Sequence, residues 1–376
     1  MYFAYSHPYT YSDLQADLNK IFSDPKRACF VSRQPLCETL AGNLCEYLSI
    51  TGPGTPEEKA LRKGVFISAR VHPGESNSSF MMKGALDFLT SAEPEADLIR
   101  KSFVVKIVPM INIDGVINGN YRCSLAGCDL NRRWKRPSRQ IHPVVYGIKR
   151  LCKKFQRERE LVLYCDFHGH SRNKDVFMYG NNYRLNPEAT RLFPYMMSKI
   201  CPTFAFEKCS FLMQRGKEAT ARMAMFKELN IPTVYTLEAS FCGPDQGPKK
   251  GLHFTTTDLM EAGRAIFRAL LLYCDISPPK PLKQAVEKEA AQTLASSLHH
   301  KTMSRQTCVK ELIENSELLR VGDNSGAFSA CDSDSEPSED NLAEEEIALF
   351  MPKGWLARKD KSAEEEKRQG SGMRLN

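Results

Sequence analysis

The tetrad His72-Pro73-Gly74-Glu75 follows directly on the apolar run Val65-Phe66-Ile67-Ser68-Ala69-Arg70-Val71. A further histidine, His168, follows a second such run, Leu161-Val162-Leu163-Tyr164-Cys165-Asp166-Phe167. Two imidazoles and one carboxylate, each at the end of a predicted strand, form the donor set of an open zinc site. Three protein ligands leave a fourth position for a water, whose pKa the metal lowers to about 7. The pattern therefore points to metal-dependent hydrolysis. A His-x-x-Glu alone is a common surface-loop pattern; its weight here comes from the strand before it and the helix start after it. His170 is an alternative ligand to His168, although Gly169 between them lets only one of the two face a shared site.

Glu238 ends the run Tyr235-Thr236-Leu237. A carboxylate at that place can take a proton from a water on the metal and hand it to a leaving amine. Arg122 and Arg132 follow the turn-like Asn112-Ile113-Asp114-Gly115, and guanidinium forks suit carboxylates and oxyanions.

Apolar strand-like runs alternate with helical patterns up to about residue 275, which implies an α/β domain with a largely parallel sheet. Ser76 and Asn77 begin a helix whose apolar face is Phe80, Met81, Ala85, Phe88 and Leu89. Phe103–Val108 reads as a strand, and Val144, Ile148, Leu151, Cys152 and Phe155 form a helical stripe. A helix inward at Ala219, Met223, Phe226 and Leu229 stops at Asn230, a strand follows at Thr233–Leu237, and a last helix runs from Asp258 to Cys274. Beyond Pro281 one helix is expected to about His300. From Lys301 the chain is polar, Ser-rich and charged, and a disordered tail is expected.

A hydrophobic content of 42% in 376 residues is enough for a sizeable core, yet no apolar run approaches the length of a membrane span. The first eight residues lack a basic region followed by an apolar stretch, so no secretory signal is expected. The 13 cysteines are odd in number and include no Cys-x-x-Cys pair, which favours reduced thiols in a cytoplasmic protein. The net charge of +7 conceals an asymmetry: Asn131 to Arg150 carries Arg132, Arg133, Lys135, Arg136, Arg139, Lys149 and Arg150 without an acid. Such a stretch is either an ordinary solvated basic face or an attractor of anionic partners. Nucleic acid is not expected among them, because no recognised binding motif accompanies it.

Taken together, the segments Arg70 to Ser79, Asp114 to Leu125, Asp129-Leu130-Asn131-Arg132, Asp166 to Arg172, Val176 to Gly180 and Thr236 to Phe241 resemble the zinc carboxypeptidases of the carboxypeptidase A type, and among them the cytosolic carboxypeptidases most closely. The motifs stand in family order over roughly residues 1 to 275. The resemblance implies an α/β/α sandwich around a mixed, largely parallel sheet. It also implies one zinc ion on His72, Glu75 and His168, and Glu238 as general base and acid. Arg122 would stabilise the oxyanion, and Asn131 with Arg132 would hold the substrate's terminal carboxylate. Arg222, in Lys217-Glu218-Ala219-Thr220-Ala221-Arg222, matches the family's basic pocket position, with alanines where relatives often have glycines.

The implied activity is removal of C-terminal or side-chain-linked glutamates, notably from polyglutamylated tubulin, in the cytoplasm and at microtubules, centrioles or cilia. Other carboxypeptidase specificities, an amidohydrolase of the aspartoacylase type, and an inactive tubulin- or partner-binding module are the competing readings. Three features depart from the family pattern. Ile113 replaces a proline, Cys128 replaces a basic or polar residue, and no tyrosine lies between Tyr195 and Tyr235 to serve as the family's mobile-loop tyrosine. The expected layout is residues 1–20 as the junction remnant of a missing N-terminal β-sandwich domain, 21–278 as the catalytic domain, and 279–376 as a helical, then disordered, charged tail. Oligomeric state is not legible.

Overall fold

Seven strands hydrogen-bond in the order β1-β2-β4-β3-β5-β7-β6 in the computed structural model, which describes residues 3–183, 186–276 and 303–321. They are β1 (Val31–Glu38), β2 (Leu44–Ile50), β3 (Lys63–Ala69), β4 (Phe103–Val108), β5 (Leu161–His170), β6 (Val176–Tyr179) and β7 (Val234–Ser240). The central four, β4-β3-β5-β7, run parallel, whereas β1, β2 and β6 pair antiparallel at the two edges. The sheet is thus mixed, with parallel pairing confined to its centre.

Helices Ser76–Leu89, Glu188–Ile200 and Thr256–Tyr273 pack together as one layer, and Pro143–Glu158 packs with Ala221–Leu229 as another. Between them β3, β5 and β7 are buried on both faces over nearly their whole length, which is why their sequences read as mainly apolar runs rather than alternating ones. Local sequence sets the helix ends. Thr255 and Asp258 form a reciprocal capping box at the start of the last of these helices, and Asn230, at φ 52°, ends Ala221–Leu229 in the left-handed region.

The helix Tyr11–Ser23, capped by Thr10 and Asp13, buries Leu14, Leu18 and Ile21 in the main core. Some expectations are revised. β5 and β7 run past their expected ends, so His168 and Glu238 lie within strands rather than after them. The tail also holds a helix, Arg305–Glu314, which buries Cys308 and Leu312 and whose Glu311 accepts a hydrogen bond from the Tyr195 hydroxyl at 2.7 Å. The helix expected to His300 and the tail beyond Val321 lie outside the described residues. Lys149 does not belong to the basic face: its buried ammonium donates to the Trp134 and Lys135 carbonyls and pairs with Glu228 at 2.6 Å.

His142, which precedes the helix Pro143–Glu158, is buried, and its Nδ1 accepts the Ser138 N–H at 3.1 Å. Burial, aided by the charge of Arg133, lowers its pKa to about 4. The folded state therefore refuses a proton that the unfolded chain takes up below the ordinary value near 6.5. Stability from this group is complete above that pH and is lost as pH falls towards 4. In His142→Asn, thermal unfolding should accordingly depend less on pH between 6.5 and 4 than in the parent; parallel curves would refute the assignment.

Candidate metal and catalytic site

The loop after β3 turns sharply at Arg70, whose φ is 60° and whose buried guanidinium holds the turn by donating to the Pro73 carbonyl and the Ser79 hydroxyl. The turn brings His72 and Glu75 beside His168 on β5. One ligand atom from each of the three lies within 4.8 Å of the others. His72 Nδ1 is 2.6 Å from Glu75 Oε1, and His168 Nδ1 is 3.0 Å from Glu75 Oε2.

The far nitrogen of each ring faces another carboxylate. His72 Nε2 donates to Asp129 at 3.1 Å, and His168 Nε2 donates to Asp166 at 2.8 Å. An imidazole that gives its Nε2 proton to a carboxylate keeps the Nδ1 lone pair for a metal, and gains basicity as well. Burial disfavours a charge on both rings, but Glu75 with Asp129 or Asp166 outweighs it and raises the pKa of each. So many buried carboxylates around two imidazoles call for a cation, and this N/N/O donor set suits zinc. His170 is not part of the cluster: its Nδ1 accepts N–H groups from Arg172 and Asn173.

Glu238 sits opposite His168 in the parallel β5–β7 register. It is buried, and its Oε2 has no hydrogen-bond partner among the described residues. Burial, together with the like charge of Glu75, raises its pKa to about 7 against the opposing histidines. The Asn77 amide, donating to the carbonyls of Ala239 and Ser240, ties this strand end to the start of the helix that follows Glu75.

Asp129 joins the His72–Glu75–His168 cluster to the arginines. One oxygen takes the His72 proton and the Asn131 N–H, at 2.7 Å; the other is gripped by Arg122 through Nε at 3.0 Å and Nη2 at 2.8 Å. Burial pushes this carboxyl up, but the hydrogen bond from His72 and the charges of His72, Arg122 and Arg132 hold it well below the usual range. Arg132 Nη1 is 3.9 Å from the same carboxylate. The side-chain carbonyl of Asn131 accepts the Ala221 N–H at 2.9 Å, and Trp134 N–H donates to the Ala219 carbonyl. Those bonds bring the Asn131–Arg132 segment against the start of the helix that carries Arg222.

Arg222 is buried, and its guanidinium donates to the Gly180 carbonyl and to Asn181 Oδ1. The structure thus groups His72, Glu75, His168, Glu238, Asp129, Arg122 and Arg132, and places Arg222 next to the end of β6. Asp129 and Asp166 were within the quoted motifs but carried no role from sequence. A carboxylate two residues before His168 on a strand lies on the same face as that histidine, and this was the available signal.

A family model described as zinc carboxypeptidase matches residues 26–245. Cytosolic carboxypeptidase 2 of Xenopus tropicalis is 48% identical over 279 residues, covering 73% of this chain and 29% of its own. The Homo sapiens protein of that name is 47% identical over 278 residues, covering 73% and 31%. Cytosolic carboxypeptidase 1 of Danio rerio is 43% identical over 292 residues, covering 72% and 25%. This chain spans well under half the length of these curated relatives. Among solved structures, a metallo-carboxypeptidase from Burkholderia cenocepacia superposes with a TM-score of 0.63 at 23% identity, over 71% of this chain and 70% of the other. One from Pseudomonas aeruginosa gives 0.62 at 22%, over 72% and 70%. At such identities these two show the fold alone. By the match over residues 26–245, with the ligand cluster inside it, the chain belongs to the zinc carboxypeptidase family.

Proposed function

We propose that the chain is a zinc-dependent carboxypeptidase that removes glutamates from protein C-termini or from polyglutamate side chains, with polyglutamylated tubulin tails as its substrate. The observation that carries the reading is the convergence of His72, Glu75 and His168 beside a buried Glu238 whose Oε2 has no hydrogen-bond partner among the described residues. These three residues would hold the zinc, which when bound supplies Lewis acidity to a water and to the scissile carbonyl. Glu238 takes the proton of the attacking water and returns it to the departing amine. Arg122, held by Asp129, places guanidinium N–H groups for the oxyanion. Arg132 and the Asn131 amide hold the terminal carboxylate, which restricts cleavage to the last residue. Arg222 supplies the positive charge that an acidic departing side chain needs.

Relatives named cytosolic carboxypeptidases support a cytoplasmic setting, and no described helix is long and apolar enough to cross a membrane. Association with microtubules, centrioles or cilia is part of the same proposal. The test is mass spectrometry of a polyglutamylated peptide incubated with the protein, with and without a chelator. Successive chelator-sensitive loss of glutamates is expected. Intact peptide despite bound zinc would favour the partner-binding reading instead. A panel of peptides ending in Glu, Phe or Lys separates glutamate preference from other specificities.

Lys135 and Arg136 are exposed next to Trp134, and Lys135 lies 3.5 Å from Glu218. A growing acidic chain would meet this edge. Lys135→Glu with Arg136→Glu should lower kcat/KM several-fold on long polyglutamate chains, more at low salt than at high, and leave a single terminal glutamate little affected. Equal kinetics on long chains would sink that role.

A further inference from the structure

The N-terminal segment runs over the rim of the site, ahead of the residues that the family model covers. The Tyr5 ring packs edge-on against Tyr121, with centroids 5.7 Å apart, and against Phe241, at 5.1 Å. Tyr121 precedes Arg122, and Phe241 lies three residues after Glu238. Each of these two rings in turn rests on a glycine next to a metal-ligand candidate. A methyl group at Gly74 would lie 2.6 Å from a Tyr121 ring carbon, and one at Gly169 would lie 3.1 Å from the Phe241 ring. The Tyr121 carbonyl also accepts the Gly74 N–H at 2.7 Å. Next to Tyr5, the Ser6 hydroxyl is 2.9 Å from that of Ser76, the residue after Glu75. The strap is then fastened: His7 and Tyr9 pack against Phe80, and the Tyr9 hydroxyl donates to Asp17 at 2.9 Å.

We propose that Tyr5, with Ser6, is a positioning element of the metal site, clamping the His72–Glu75 loop through Tyr121 and Ser76 and the His168 strand end through Phe241. The ring contacts of Tyr5 are with Tyr121 and Phe241, and 66% of its surface is exposed, so the core does not require it. Its place is explained by what its two faces hold. The inference rests on reading His72, Glu75 and His168 as the metal ligands.

The test uses the full chain and compares Tyr5→Ala and Tyr5→Phe with the parent. Tyr5→Ala should speed amide hydrogen exchange in residues 74–76, 121–124 and 241–243. It should also weaken zinc binding in a chelator competition several-fold, less than the roughly tenfold or more expected for direct partners of the ligands. Tyr5→Phe keeps both ring contacts and should stay near the parent in both readouts. Faster exchange confined to residues 3–8, with zinc affinity unchanged in Tyr5→Ala, would overturn the proposal. If the parent itself fails to bind zinc, the metal reading falls; the clamp still stands or falls on the exchange pattern.

Discussion

Glu238→Gln should keep its zinc and lose carboxypeptidase turnover by about 10²–10⁴-fold. The substitution conserves size and hydrogen-bonding shape, so β7 and its register with β5 should persist. What disappears is the ability to accept a proton. Glu238 Oε2 is buried without a hydrogen-bond partner among the described residues, an arrangement that costs about 1–3 kcal/mol unless something uses that oxygen. Its pKa, raised to about 7 by burial, would make it an acid as much as a base. A divalent cation between His72, Glu75 and His168 favours the carboxylate form, so the group becomes a base in the loaded site and holds its proton only transiently. Turnover of a peptide ending in glutamate, measured beside the zinc content of each protein, decides the matter. A loss below tenfold with zinc retained would remove Glu238 from the mechanism.

The central strands were legible because helices on both sides bury most positions of β3, β4 and β5 and so demand mainly apolar residues there. The edges were not. β1 is half exposed, contains Pro35, and shifts register between Pro35 and Cys37, so its sequence shows neither alternation nor a continuous run. β6 is only 4 residues long. In the helix Arg305–Glu314 only Cys308 and Leu312 are buried, a weak stripe inside a polar stretch.

The candidate ligand cluster was legible as a cluster because its members end or follow apolar runs, and adjacent parallel strands carry their C-terminal ends to one edge of the sheet. The partners of those candidate ligands escaped. A lone Asp or Arg in a sequence carries no sign of whether the fold buries it. Asp129 reaches His72 from 57 positions away, through a loop with no periodicity to read. Lys149 misled in the opposite sense, since a lysine counted with a basic face proved to hold two loop carbonyls and a glutamate inside the fold.

Asp166→Asn should weaken zinc binding by about 10–100-fold. Asp166 is completely buried on β5; one oxygen receives the His168 Nε2–H at 2.8 Å and the other the Ser68 hydroxyl at 2.7 Å. The carboxylate therefore fixes both the ring orientation and the tautomer that leaves Nδ1 for the metal, and its charge strengthens that nitrogen as a donor. An amide can still accept one hydrogen bond, but it brings no charge and can turn its NH₂ towards His168. Ser68→Ala should cost less, because it removes only the bond that orients Asp166. Asp129→Asn offers the contrast: Asp129 holds His72 and Arg122 together, so its loss should lower both zinc affinity and turnover of the zinc-loaded enzyme. Chelator competition gives the affinities, and thermal unfolding of the metal-free proteins separates loss of fold from loss of site. Unchanged affinity in Asp166→Asn would mean that β5 alone aims His168. Unchanged turnover in zinc-loaded Asp129→Asn would mean that Arg122 finds its place without Asp129.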